Sequence, residues 1–125
     1  MKPHPRLRIL SACLLAAAAL TAQAAPPPAS TPITDCVDLG ADRQIARGDN
    51  NKFFVRDGEA NYRVSFQSSC GSISYAPRIW ISTDGTDNRL CPQGTRVNTG
   101  KDACRVAKVD SITPEEFDRK ARAAR

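Results

Sequence analysis

Cysteine and histidine carry most of the covalent, redox and metal chemistry open to a small chain, and here their placement is informative. Four cysteines, Cys36, Cys70, Cys91 and Cys104, are separated by 33, 20 and 12 residues, and a fifth, Cys13, sits in an apolar run near the start. No two are spaced as Cys-x-x-Cys, which argues against a thioredoxin-like dithiol and a four-cysteine zinc site. The single histidine is His4, ahead of that apolar run. The rest of the chain therefore has no imidazole for a Ser-His-Asp triad, a Cys-His pair or an HExxH zinc site.

Weaker constellations remain. Ser68, Ser69 and Ser72 crowd around Cys70, but with no base in the sequence to activate a hydroxyl they read as loop serines. Asp84-Gly85-Thr86-Asp87-Asn88 offers three carboxylate or amide side chains in five residues. It lacks the sixth-position glycine and distal glutamate of a calcium-binding EF-hand loop, and reads as a turn. The chain has 13 acids, so hydrolysis by a carboxylate pair is the enzymatic alternative. Asp49, Asp57, Asp84 and Asp87 stand beside turn residues, however, where capping and solvation account for them. No phosphate-binding glycine loop or nucleophile elbow occurs. No catalytic, cofactor-binding or metal-binding residue is assigned.

The N-terminus supplies an address. Lys2, Arg6 and Arg8 precede the apolar run Ile9 to Leu20, and Thr21-Ala22-Gln23-Ala24 has the small-x-small pattern of a cleavage site, so residues 1–24 read as an export signal. The run is too short to cross a bilayer, which takes about 20 residues, so no transmembrane segment is expected after cleavage. Leu10-Ser11-Ala12-Cys13 spells a lipoprotein box, but almost no apolar segment precedes it, which disfavours anchoring through Cys13. Cleavage removes three of 18 basic residues and none of 13 acidic ones, leaving a net charge of +2. Four of the remaining cations crowd into the last seven residues, and no basic stripe interleaved with aromatics exists to bind nucleic acid. The address is periplasmic or secreted.

An even number of cysteines in a small exported chain implies two disulfides. Three pairings are possible, and the shorter loops slightly favour Cys36 with Cys70 and Cys91 with Cys104. Residues 25–35, with four prolines among them, read as a linker, and residues 36–125 as one domain. Within it, Arg43 to Arg47 is strand or helical turn. Lys52 to Arg56 and Asn61 to Gln67 form a hairpin about Asp57-Gly58. Asn61 to Ser82 is expected to form the central pair of strands, its pattern restarting at Ile73 and Tyr75, interrupted by Pro77 and resuming through Trp80. A turn at Asp84-Gly85, a short strand around Leu90 and a closing strand from Cys104 to Val109 follow. Thr113 caps a helix over 114–124, with Pro114 at its first position, Glu116 completing a capping box and Ile112 stapled to Phe117. The expected fold is mainly β: a small disulfide-stabilised barrel or rolled antiparallel sheet of five or six strands with a short C-terminal helix.

The motifs Cys36-Val37-Asp38, Arg43-Gln44-Ile45, Tyr62-Arg63-Val64, Cys70-Gly71-Ser72-Ile73 and Tyr75-Ala76-Pro77-Arg78-Ile79, followed by Leu90-Cys91, Gly94 and Cys104-Arg105-Val106, occur in an order with precedent. The chain resembles, over about 80 residues from Cys36 to Glu116, a family of small exported proteobacterial proteins known as a domain of unknown function. That family usually has Pro-Gly after its second cysteine and an acid where Pro77 stands. The resemblance implies an exported four-cysteine β domain and no reaction.

The functional clue lies in strand alternation. If Lys52 to Arg56 is a strand, Phe54 points opposite to Phe53 and Val55, and Trp80 likewise opposes Ile79 and Ile81. Phe54 and Trp80 would then share the second face of the sheet. Either the terminal helix covers them through Phe117, or a closed sheet buries both faces, or they form an exposed patch for a partner or glycan. The leading functional expectation is a non-enzymatic domain that binds an envelope or extracellular partner. The alternatives are an enzyme using carboxylates or an oxygen-bound metal, and an inhibitor of a secreted enzyme presenting the loop Gly94 to Ala103.

Overall fold

The computed structural model describes residues 30–124 and the isolated positions 3 and 18; the segment read as an export signal, those two positions apart, its expected cleavage point and Cys13 lie outside the described residues. In chain order the elements are β1 (Ser30–Pro32), β2 (Val37–Asp38), β3 (Gln44–Arg47), β4 (Lys52–Asp57), β5 (Ala60–Phe66), a 3-10 turn (Gly71–Ser74), β6 (Trp80–Thr83), β7 (Thr86–Asp87), β8 (Arg89–Leu90), β9 (Thr95–Asn98), β10 (Ala103–Ile112) and α1 (Pro114–Ala123). Eight strands form one curled antiparallel sheet, a half-barrel, in the order β3-β4-β5-β10-β9-β6-β7, with β1 on the free side of β10. A separate ribbon pairs β2 with β8. The mainly β fold with one C-terminal helix is as expected, but five or six strands undercounts it.

The long strand β10 joins the two halves of the sheet. Its first residues pair with β9 from Ala103 to Arg105, and its remainder pairs with β5 from Val106 to Ser111, with a bulge between Val106 and Lys108. A bulge bends and twists its strand, so β10 turns the corner that curls the sheet. The concave side holds the main core: Phe53, Val55, Val64, Ile81, Val97 and Val109 are almost wholly buried there. Tyr62 lies in the same core, and burial, then the charge of Asp57, raise its phenol above the usual tyrosine value.

Four local expectations are corrected. The sheet includes Ser30–Pro32, inside the segment read as a linker: β1 pairs with Ser111 and its neighbours, and the Ile33 amide donates to the Val109 carbonyl at 3.0 Å. Pro32 is tolerated because β1 lies at an edge. Asn61 to Ser82 is not a pair of neighbouring strands, since β5 pairs with β4 and β10 while β6 pairs with β9 and β7. Ile73 and Tyr75 would share a face in a strand, yet Ile73 is buried and Tyr75 is 61% exposed, as the 3-10 turn dictates. The Arg47 guanidinium fixes that turn by donating to the carbonyls of Ile73 and Ala76. Finally, the strand around Leu90 is two strands, because the Thr95 hydroxyl closes a tight loop on the amide and carbonyl of Cys91.

The disulfides join Cys36 to Cys91 and Cys70 to Cys104, which corrects the preference for shorter loops. The difference in loop-closure entropy amounts to only a few tenths of a kcal/mol per modest change in loop length, and strand pairing overrides it. Cys36 and Cys91 flank the β2–β8 ribbon. Cys70 follows β5, and Cys104 begins the strand alongside it, where the Gln67 amide donates to the Arg105 carbonyl at 2.9 Å.

The turn chemistry behaves as read. Asp84 and Gly85, with φ of 49° and 79°, are the two loop residues of the β6–β7 hairpin, the left-handed pair that matches strand twist. At α1 the Thr113 hydroxyl accepts from the Glu116 amide at 3.1 Å. Only half of the capping box is made, because the Glu116 carboxylate turns instead to Arg63 at 3.4 Å. Thr113→Ala is expected to lower unfolding free energy by about 1 kcal/mol in urea titrations, the usual loss for an N-cap hydroxyl.

A candidate binding surface around Trp80

Among the described residues, only half of the outer face of the sheet is covered. Helix α1 lies across β3, β4 and β5, where Ala46, Phe54, Ile112 and Phe117 make a second, smaller core. Arg56 stacks over the Phe117 ring at 4.3 Å and donates to Asp118 at 2.9 Å, which holds the helix down. Phe54 is fully buried beneath it. The helix covers Phe54 through Phe117, and Phe54 belongs to no exposed patch.

Trp80 has the predicted orientation and a different fate. It points away from Ile81, onto the outer face of β6, β9 and β10 beyond the reach of α1, and is 51% exposed. Two rows of side chains run across this bare face, since residues two apart on a strand share a side. One row is Trp80, Asn98 and Ala103; the other is Ser82, Arg96 and Arg105, with Asp87 beyond Ser82. The intervening Thr83, Thr95 and Val97 are buried.

The Trp80 ring lies near the turn from Thr99 to Asp102. A β-carbon on Gly100 would stand 4.0 Å from the indole, at ordinary van der Waals range, and Gly100 has a φ of 85°. A side chain there would be strained in the left-handed region. The next residue, Lys101, places its ammonium 5.3 Å from the centre of the Tyr75 ring. Tyr75 and Trp80 are the exposed large apolar side chains among the described residues, and both touch this one turn.

Three ties make the turn rigid. The buried Ser72 hydroxyl sits 2.6 Å from the Thr99 hydroxyl and donates to the Asp102 carboxylate. The Thr99 amide donates to the Asp102 carbonyl at 2.9 Å. The Cys70–Cys104 bridge clamps the 3-10 turn to the foot of the hairpin. A buried hydroxyl needs partners, and Ser72 finds them here; it is a structural strut, whereas Ser68 and Ser69 are exposed loop residues as expected.

The surface offers two exposed aromatic side chains, one amide, and cations around them. Strand alternation pointed to Trp80, which is exposed, and did not single out Tyr75, Asn98 or Lys101. The available signal for Tyr75 was Pro77, which interrupts any ladder two residues later. At the calcium-like segment, Asp84 and Gly85 form the hairpin loop, and among the described residues no three histidine, cysteine or acidic side chains converge on a common point. No helix of the described residues is long and apolar enough to cross a membrane.

No protein-family model, no curated protein and no solved structure matches the chain. What is shown is a small domain tied by two disulfides, and not membership of the family its motifs resemble.

Proposed function

We propose that this protein is an exported, non-enzymatic binding module that engages an envelope or extracellular partner through the surface around Trp80. The observation that carries the reading is the half-exposed indole near Gly100, next in sequence to the Lys101 that lies over the exposed Tyr75 ring. Exposed aromatics held rigidly bury large area at little entropic cost, and tryptophan and tyrosine dominate the binding energy of recognition surfaces. Two disulfides fit a workplace outside the reducing cytoplasm, and the signal-like N-terminus agrees with it.

Trp80 is the only tryptophan in the chain, so its fluorescence reports on this surface alone. Titrating the oxidised protein with envelope and extracellular fractions should shift the emission, and Trp80→Ala should weaken retention on the same material by about 30-fold, the loss typical of a hot-spot residue. The unfolding midpoint should not fall. Retention equal to the parent in both Trp80→Ala and Tyr75→Ala would remove the surface from consideration.

A further inference from the structure

We propose that the face beside Trp80 takes an acidic glycan chain, with a sugar carboxylate received between Arg96 and Arg105 and a sugar ring lying against the indole. The proposal rests on the binding reading above and names its ligand.

Arg96 and Arg105 are directly opposite each other on β9 and β10, on the bare outer face. Like charges so placed repel and weaken the sheet. The ion pairs among the described residues engage Lys52, Arg56, Arg63, Arg89 and Lys108, and neither of these two arginines. An anion between them would turn the repulsion into two charge-assisted, fork-shaped contacts, which guanidinium groups make best with carboxylates and phosphates.

The surroundings choose among anions. Two adjoining depressions, of about 330 and 380 Å3, share Gln67 and Arg105 and form one polar trough along the strands. Arg96 lines one, and Ser68 and Ser69 line the other, so hydroxyl and amide groups extend the trough away from the charge. Ala103, which lines the second depression, belongs to the same cross-strand row as Trp80. Cation, hydroxyls and aromatic ring on one face are the complement of a sugar carrying a carboxylate, hydroxyls and an apolar ring face. Acids stand at the margins: Asp84 in the first depression, Asp102 in the second, and Asp87 at the end of the arginine row. A bilayer or a nucleic acid presents closely spaced negative charge, which these acids would repel. A sugar unit carries its one carboxylate among several hydroxyls, and those hydroxyls can donate to the acids.

The test uses oligogalacturonate against the same oligomer with its carboxyls methyl-esterified, measured by calorimetry on the oxidised protein. The acid form should bind, the ester should bind at least tenfold more weakly, and Arg96→Gln with Arg105→Gln should reduce affinity for the acid form by about 100-fold. The double variant should unfold at the same midpoint as the parent or higher, because a repulsion has been removed. Failure of the acid form to bind at millimolar concentration, equal binding of the ester, or undiminished binding by the double variant overturns the glycan assignment. Arginine-dependent retention on phosphatidylglycerol vesicles in place of the oligomer overturns it too. If Trp80→Ala still loses envelope or extracellular material in those cases, the binding surface stands and only its ligand class falls; if it does not, both fall.

Discussion

Reducing both disulfides is expected to unfold this domain at 37 °C. The bridges close loops with sequence separations of 55 and 34 residues, and restricting the unfolded chain to loops of this size contributes about 4 kcal/mol each on the chain-entropy account. Together they amount to about 8 kcal/mol, against a total of about 5 to 15 kcal/mol for an ordinary small domain. Separate removal distinguishes them. Cys36→Ala with Cys91→Ala frees the β2–β8 ribbon and should lower stability by about 4 kcal/mol while sparing the Trp80 surface. Cys70→Ala with Cys104→Ala should cost about as much and also loosen the 3-10 turn and the Thr99 to Asp102 turn, whose remaining ties are the Ser72 network and the turn's own backbone bond. Circular dichroism gives the unfolding midpoint, and Trp80 fluorescence reports the surface. Unchanged midpoints after reduction would mean that the core alone sustains the fold.

The fold class was legible because it rests on local rules. Alternation put Phe53 and Val55 on one side and Phe54 on the other, as found, and Asp84-Gly85 marked a hairpin that only left-handed residues close tightly. Four cysteines in a small chain meant two bridges. The pairing was illegible because it follows from which strands become neighbours, and β10, the longest strand, bonds to β5, β9 and β1 from three parts of the chain. The site was half legible for the same reason. Trp80 was identified from its own strand, but its separation from Phe54 depends on how far α1 reaches across the sheet. Arg96 opposite Arg105 is a statement about register, which a hydrophobic pattern fixes only once the partners are known.

The other large effect should come from Arg63, the cation that ties four elements together. From β5 its guanidinium donates to Asp110 on β10 at 3.1 Å, to Glu116 on α1 at 3.4 Å and to the Ser30 hydroxyl on β1 at 3.0 Å. The Asp110 side chain is only 4% exposed, and its other cation, Lys108, is 3.8 Å away and mostly in water. Arg63→Met keeps the apolar stem and removes the charge, which leaves Asp110 buried with a distant, solvated partner. The expected loss is about 3 kcal/mol, near the low end for breaking a buried pair because Lys108 compensates in part. That corresponds to a fall of roughly 15 °C in Tm for a domain of this size. Adding Asp110→Leu should recover more than half of the loss, since two apolar groups need no counter-charge. Glu116→Gln alone should cost less than about 1 kcal/mol, as it removes the longest contact and keeps the Thr113 cap on its amide. If Arg63→Met behaves like an exposed surface change, within about 0.5 kcal/mol, then β1 is held by its ladder to β10 and α1 by Phe117 packing and the Arg56 contacts, and the Arg63 network plays no part in closing the outer face.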